Sequence, residues 1–138
     1  YKPIVKKNKL YFNDTGLACY LIGIDSPNTL KLSDFKGRLV ETYIHNEICK
    51  SYKNNNLDVR MFYYRDNNQN EIDFIILRDG NLYFIEAKSG KQYGVNDVKG
   101  FKQLLNTNYN IAGQCIICCA DEVYRVSSQV YAFPIRCI

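Results

Sequence analysis

The chain has 138 residues, 46% of them apolar and 23% charged, which suits one globular domain with a real core and excludes a disordered chain. No run approaches the roughly 18 apolar residues that a spanning helix needs, and the opening Tyr-Lys-Pro-Ile-Val-Lys-Lys lacks the apolar stretch of a signal peptide. The cytoplasm is therefore the expected compartment, without membrane contact, and a net charge of +4 permits a nucleic-acid partner without demanding one.

Residues 1–32 read as a lead segment that packs on the remainder. KLYFND is a short extended piece, and Asn13 or Asp14 caps one helix whose apolar stripe is Leu17, Tyr20, Leu21 and Ile24. The lysines Lys2, Lys6, Lys7 and Lys9 read as a solvated basic edge. The main domain, residues 33–138, opens with a long helix over 33–53, capped by Ser33 or Asp34. Its stripe is Leu39, Val40, Tyr43, Ile44, Ile48 and Tyr52.

Three strands follow, VRMFYYR, NEIDFIILR and NLYFIEAK. A polar loop from Asp66 to Gln69 joins the first two, and Asp79-Gly80, a dipeptide suited to turns of positive φ, joins the second pair. A helix is expected from Val95 to Asn106, with Val98, Phe101, Leu104 and Leu105 inward. The strand AGQCIICCA comes next, and then QVYAFPI, whose Pro134 suggests a sheet edge. The order α-β-β-β-α-β-β predicts an α/β fold, a mixed sheet with helices on both faces. The six cysteines lie mostly in apolar segments and read as reduced core residues. Cys115 and Cys118 have zinc-knuckle spacing but no second ligand pair.

Charge inside that sheet is the informative feature. Glu71 and Asp73 sit on the second strand, Glu86 and Lys88 on the third, and a buried carboxylate without a partner costs several kcal/mol. Residues two apart on a strand share a face, so Glu86 and Lys88 project together, as do Glu71 and Asp73. A tight turn at Asp79-Gly80 places Asp73 across from Glu86. Two carboxylates so close raise each other's pKa unless a cation or the lysine compensates. On the long helix, Glu41 aims toward the sheet beside the Ile44 stripe while Glu47 does not, and His45, the single histidine, lies one turn on from Glu41.

A helix glutamate, an aspartate on the second strand and Glu-x-Lys on the third resemble the PD-(D/E)XK nuclease superfamily. Over nearly the whole chain, KLYFNDTGLACYLIGI, the helix around Gly37-Arg38-Leu39-Val40-Glu41, YYRDNNQNEIDFII and YFIEAKSG resemble the uncharacterised domain found C-terminal to the ATPase module of prokaryotic AAA-type ATPases. The resemblance implies a restriction-endonuclease-like three-layer fold and a metal-dependent nuclease-like activity on DNA or RNA phosphodiesters. It also implies an N-terminal ATPase module as partner. Asp73, Glu86 and the main-chain carbonyl of Ala87 would ligate Mg²⁺ or Mn²⁺, Glu41 would bind directly or through water, and Lys88 would orient the attacking water or offset transition-state charge.

Glu71, His45 and Gln103 are flanking candidates. Arg65, Lys91 and Lys99 would line a phosphate track, with Tyr63, Tyr64 and Tyr93 as stacking surfaces. The chain contains no Gly-x-x-x-x-Gly-Lys-Ser/Thr phosphate loop, so ATP binding would belong to another part of such an ATPase. The competing reading is a catalytically inactive module of the same fold that binds nucleic acid or a protein. For the charged residues alone, it is a plain ion-pair network.

Overall fold

The structure, a computed structural model, describes residues 8–105 and 108–138. Lys2, Lys6 and Lys7, and the predicted helix end at Asn106, lie outside them. The lead carries two short helices, α1 (Thr15–Leu21) and α2 (Pro27–Leu32), where the sequence suggested one. Asp14 caps α1 by accepting from the Leu17 amide, and Ser26 caps α2, with Pro27 preset for its first turn. The expected apolar stripe of α1 does not face inward. Ala18 is the buried residue, while Leu17, Tyr20 and Leu21 are exposed.

Helix α3 (Lys36–Asn54) starts later than predicted, with Phe35 as its N-cap residue and no side-chain cap on its first turn. Ser33 instead accepts from the Phe35 amide just ahead of the helix. Leu39, Ile44 and Ile48 are buried as the stripe requires, and so is Asn46, whereas Tyr43 of the expected stripe is exposed because it sits at the flank of the helix away from the sheet. Asn46 donates to the carbonyls of Phe12 and Asn13 at 2.7 and 3.1 Å, which ties the lead to α3. Asn46→Ala leaves both carbonyls without that donor and is expected to cost about 1–3 kcal/mol. Limited proteolysis should then cut faster between Leu10 and Asp14; a cutting rate equal to wild type would show that the tether is not Asn46.

Strands β1 (Arg60–Arg65), β2 (Glu71–Arg78) and β3 (Asn81–Ala87) form the antiparallel meander. Asp79 and Gly80 both have positive φ, at 50° and 76°, as the two-residue turn demands. After β3 comes a kinked segment of tight 3₁₀ turns, Val95–Leu104, rather than a regular α-helix. Val98, at its kink, and Phe101 are buried, whereas Leu105 is exposed. Strand β4 (Asn110–Cys118) runs parallel to β3, and β6 (Val130–Pro134) parallel to β4. The two-residue β5 (Tyr124–Arg125) pairs antiparallel outside β6. Among the described residues the sheet is six-stranded and mixed, in the order β1-β2-β3-β4-β6-β5.

Pro134 thus does not mark the edge strand. It is the last residue of β6, paired with Cys118 of β4, and β5 reaches only Tyr131 and Ala132, so no ladder partner needs its missing N–H. One face of the sheet packs Phe74, Ile76, Ile85 and Ile117 against Ile44 and Ile48 of α3; the other packs Ile72, Phe84 and Ile116 against Val98 and Phe101. The six cysteines are free thiols. Among the described residues no helix is long and apolar enough to cross a membrane.

Candidate functional site

The registry of the Asp79-Gly80 hairpin sets the site. Arg78 pairs with Asn81 and Phe74 with Ile85, so the ladder carries on toward Asp73 and Glu86. There the Asp73 carboxylate accepts from the Ala87 amide at 2.9 Å. On the other side of β2 the β1 pairing slips by one residue between Phe62 and Tyr64. This irregularity lets Ile72 and Ile75, three apart, share one core while Phe74 enters the opposite one. Simple alternation forbids that arrangement. A bulge of this kind re-aims side chains locally, and Asp73 lies inside it.

Asp73 and Glu86 are both buried, at 8% and 6% exposure, as charge in the middle of the sheet predicted. Lys88 reaches back to Glu86 Oε1 at 2.8 Å. Glu86 Oε2 is buried and makes no hydrogen bond. Burial and the adjacent Asp73 charge push the Glu86 carboxyl up to about 7, and the Lys88 ammonium and the Asp73 main-chain amide oppose them only in part. Asp73 is also raised, by burial and by Glu41, with the Ala87 amide and Lys9 pulling the other way. Burial works against the charge on Lys88, yet its bond to Glu86 outweighs that and raises its pKa.

Sequence reasoning missed the second cation. Lys9 is not a solvated edge: its ammonium lies 2.7 Å from Glu41, 2.9 Å from Glu71 and 3.2 Å from Asp73. Its side chain is 26% exposed and its Nζ stands 5.5 Å from the Tyr63 ring. Burial alone would lower its pKa, but the hydrogen bond to Glu41 and the charge of Asp73 overcome this and hold it raised. Tyr11, two residues on, donates to Glu41 at 2.7 Å, and burial together with that acceptor keeps its phenol protonated. A signal for both was present. In the extended KLYF piece Lys9 and Tyr11 share one side, and the apolar Leu10 and Phe12, which point the other way, are exposed.

Glu41, Glu71 and Asp73 therefore converge, but around Lys9. His45 does not join them: it stacks on Tyr11 with ring centroids 4.0 Å apart and contacts Asn46 and Cys49. Gln103, Arg65 and Lys99 are exposed. Lys91 is exposed too and forms an ion pair with Asp121 at 2.9 Å. Tyr93 is engaged at a loop, its hydroxyl accepting from the Gly90 amide and its own amide donating to Tyr124.

In kind, the donors fit a hard divalent cation, since they are carboxylate oxygens and one of them, Glu86 Oε2, is buried with no partner. In arrangement they are not a ready-made cage. Among the described residues no group of three or more His, Cys, Asp or Glu is placed to hold a metal ion. The acids around Lys9 stand at ammonium distances, wider than the roughly 2.1 Å of a magnesium ligand.

No protein with a curated description matches the chain, and no solved structure does. A protein-family match covers residues 36–138, from the first residue of α3 through the whole sheet, and so includes Glu41, Glu71, Asp73, Glu86 and Lys88 but not Lys9. On that match the chain belongs to the family described as Domain of unknown function (DUF4143).

Proposed function

We propose that the chain is a nuclease-like domain of PD-(D/E)XK type, with a restriction-endonuclease-like core, that hydrolyses phosphodiester bonds of DNA or RNA with Mg²⁺ or Mn²⁺. The observation that carries the reading is Glu86 Oε2, a buried and unpartnered carboxylate oxygen beside Asp73 and Lys88. A protein does not leave such an atom uncompensated without cost, and a cation would satisfy it. When bound, a divalent ion would supply Lewis-acid polarisation of the phosphoryl group. Asp73, fixed by the Ala87 amide, keeps its carboxylate oriented at the end of the hairpin. Lys88 is held by Glu86 close to that point and would offset the negative charge that develops on the phosphoryl oxygens.

The resemblance to domains of AAA-type ATPases implies an ATPase module as the chain's partner in a larger protein. The free cysteines suit the cytoplasm. A second reading, an inactive nucleic-acid-binding or protein-interaction module, is favoured by one observation: Lys9 already pairs with all three acids of the cluster. A plasmid-nicking and RNA-cleavage assay with Mg²⁺ or Mn²⁺ separates the two. Glu86→Ala and Lys88→Ala are each expected to lower cleavage about 100-fold or more, the scale of losing one preorganised electrostatic contact. No cleavage by the wild type, or cleavage that survives both substitutions, sinks the enzymatic reading.

A further inference from the structure

The acidic cluster is built around a cation that the chain supplies itself. Four carboxylates, Glu41, Glu71, Asp73 and Glu86, face two ammonium groups, Lys9 and Lys88. Lys88 serves Glu86, and Lys9 serves the other three. Both oxygens of Asp73 are already in use, Oδ1 by Lys9 at 3.2 Å and Oδ2 by the Ala87 amide at 2.9 Å. Among the described residues Glu86 Oε2, on a residue 6% exposed, is the one buried side-chain polar atom without a hydrogen-bond partner. Each Asp73 oxygen keeps a free lone pair, so an external cation that satisfies Glu86 Oε2 and also reaches Asp73 is opposed by the like charge of the Lys9 ammonium, 3.2 Å from Oδ1.

We propose that Lys9 is the resident cation of this site, competing with a divalent metal ion for Glu41, Glu71 and Asp73. Metal binding then requires the Lys9 ammonium to withdraw, and the lead segment sets the metal affinity of the domain. This rests on the divalent-metal reading given above and adds its regulation. The geometry allows withdrawal of the side chain without loss of the strap. Tyr11 is held independently of the contested carboxylates by its stack on His45, and the Phe12 and Asn13 carbonyls are held by Asn46. Lys9 can swing out on its flexible stem while residues 11–13 stay docked.

Lys9→Met keeps the length and covering stem of the side chain and removes its charge. Mn²⁺ titration of the metal-free protein, read by calorimetry, is expected to show binding at least about tenfold tighter in Lys9→Met than in wild type, a difference of about 1.4 kcal/mol. The variant should also melt lower in chelator and recover more of its melting temperature on adding Mn²⁺. Binding no tighter than wild type overturns the competition. In that event wild-type binding abolished by Glu86→Gln leaves the metal site standing, whereas no binding by either protein removes the metal reading and this inference together. Should Lys9→Met fail to fold, wild-type protein still decides. Acetylation followed by mass spectrometry should find Lys9 protected relative to exposed Lys99 and Lys102, and exposed to reagent once Mn²⁺ is added. Protection unchanged by millimolar Mn²⁺ overturns the proposal.

Discussion

Gly100→Ala is expected to destabilise the domain by about 3 kcal/mol or somewhat more, at or beyond the upper end of ordinary overpacking. A Cβ at residue 100 would fall under 3.0 Å from both the main-chain oxygen and the carbonyl carbon of Glu71. The obstacle is backbone, not the mobile end of a side chain, and neither partner is free to yield. Gly100 lies between Val98 and Phe101, both buried in the core, and Glu71 opens β2, paired with Arg65 of β1. Any shift would also carry the Glu71 carboxylate away from Lys9. Urea unfolding of the variant should show a markedly lower midpoint. A suitable control is Gly37→Ala, where no atom lies within 4 Å of the added carbon, in the first turn of α3. That change is expected to stabilise by about 0.4–1 kcal/mol through the unfolded chain. A Gly100→Ala midpoint equal to wild type would mean that the 3₁₀ segment does not press on β2 as described.

What could be read in advance were the features encoded by near neighbours. The alternation of β2 and β3 and the Asp79-Gly80 turn fix a hairpin, and the hairpin fixes who faces whom; Asp73 beside the Glu86–Ala87 end of β3 follows from counting residues from the turn. The stripe of α3, apart from the exposed Tyr43, was legible for the same reason, because helical spacing is local. Features that depend on distant partners were not. Strand β5 is two residues long, too short to carry any periodicity, and so the edge passed to Pro134 by default. The stripe Leu17, Tyr20 and Leu21 has the spacing of a buried face, but burial needs a surface to pack on, and in this structure the covered residue is Ala18.

The site divides along the same line. Carboxylates in a sheet announce an electrostatic problem without saying what solves it. Lys9 lies 62 residues from Glu71 and 64 from Asp73, and no local pattern specifies a contact of that span. The β1–β2 bulge was invisible too. Under strict alternation Asp73 would have stood on the same face as Ile75, directed toward the 3₁₀ segment. The slip in register gives it access to Lys9 and to the neighbourhood of Glu41 on α3. The acids were thus identified individually, while the geometry that gathers three of them around an internal ammonium is a property of the tertiary structure alone.

Glu86→Gln is expected to make the metal-free protein more stable at pH 8 and to flatten its pH dependence. The Glu86 carboxyl moves from 4.5 in the unfolded chain to about 7 in the fold, so the folded state holds its proton more tightly. The stability associated with that proton is full below 4.5 and lost as pH rises through about 7. Asp73, raised by burial and by Glu41, acts in the same direction. At 1.36 kcal/mol per pKa unit the Glu86 contribution is on the order of 3 kcal/mol as an upper bound. Glutamine keeps the shape of the protonated acid and its hydrogen-bonding capacity, and it releases Lys88, whose side chain is 28% exposed and can turn to water. Some of the gain is offset by that lost pair, leaving about 1–2 kcal/mol at pH 8. Thermal melts in chelator at pH 5 and pH 8 measure the effect directly: the variant should exceed wild type at pH 8 and approach it at pH 5. A variant less stable than wild type at pH 8 would show that Lys88 holds Glu86 as a stable ion pair. The carboxylate would then need no further cation, and the principal support for a metal at this position would be lost.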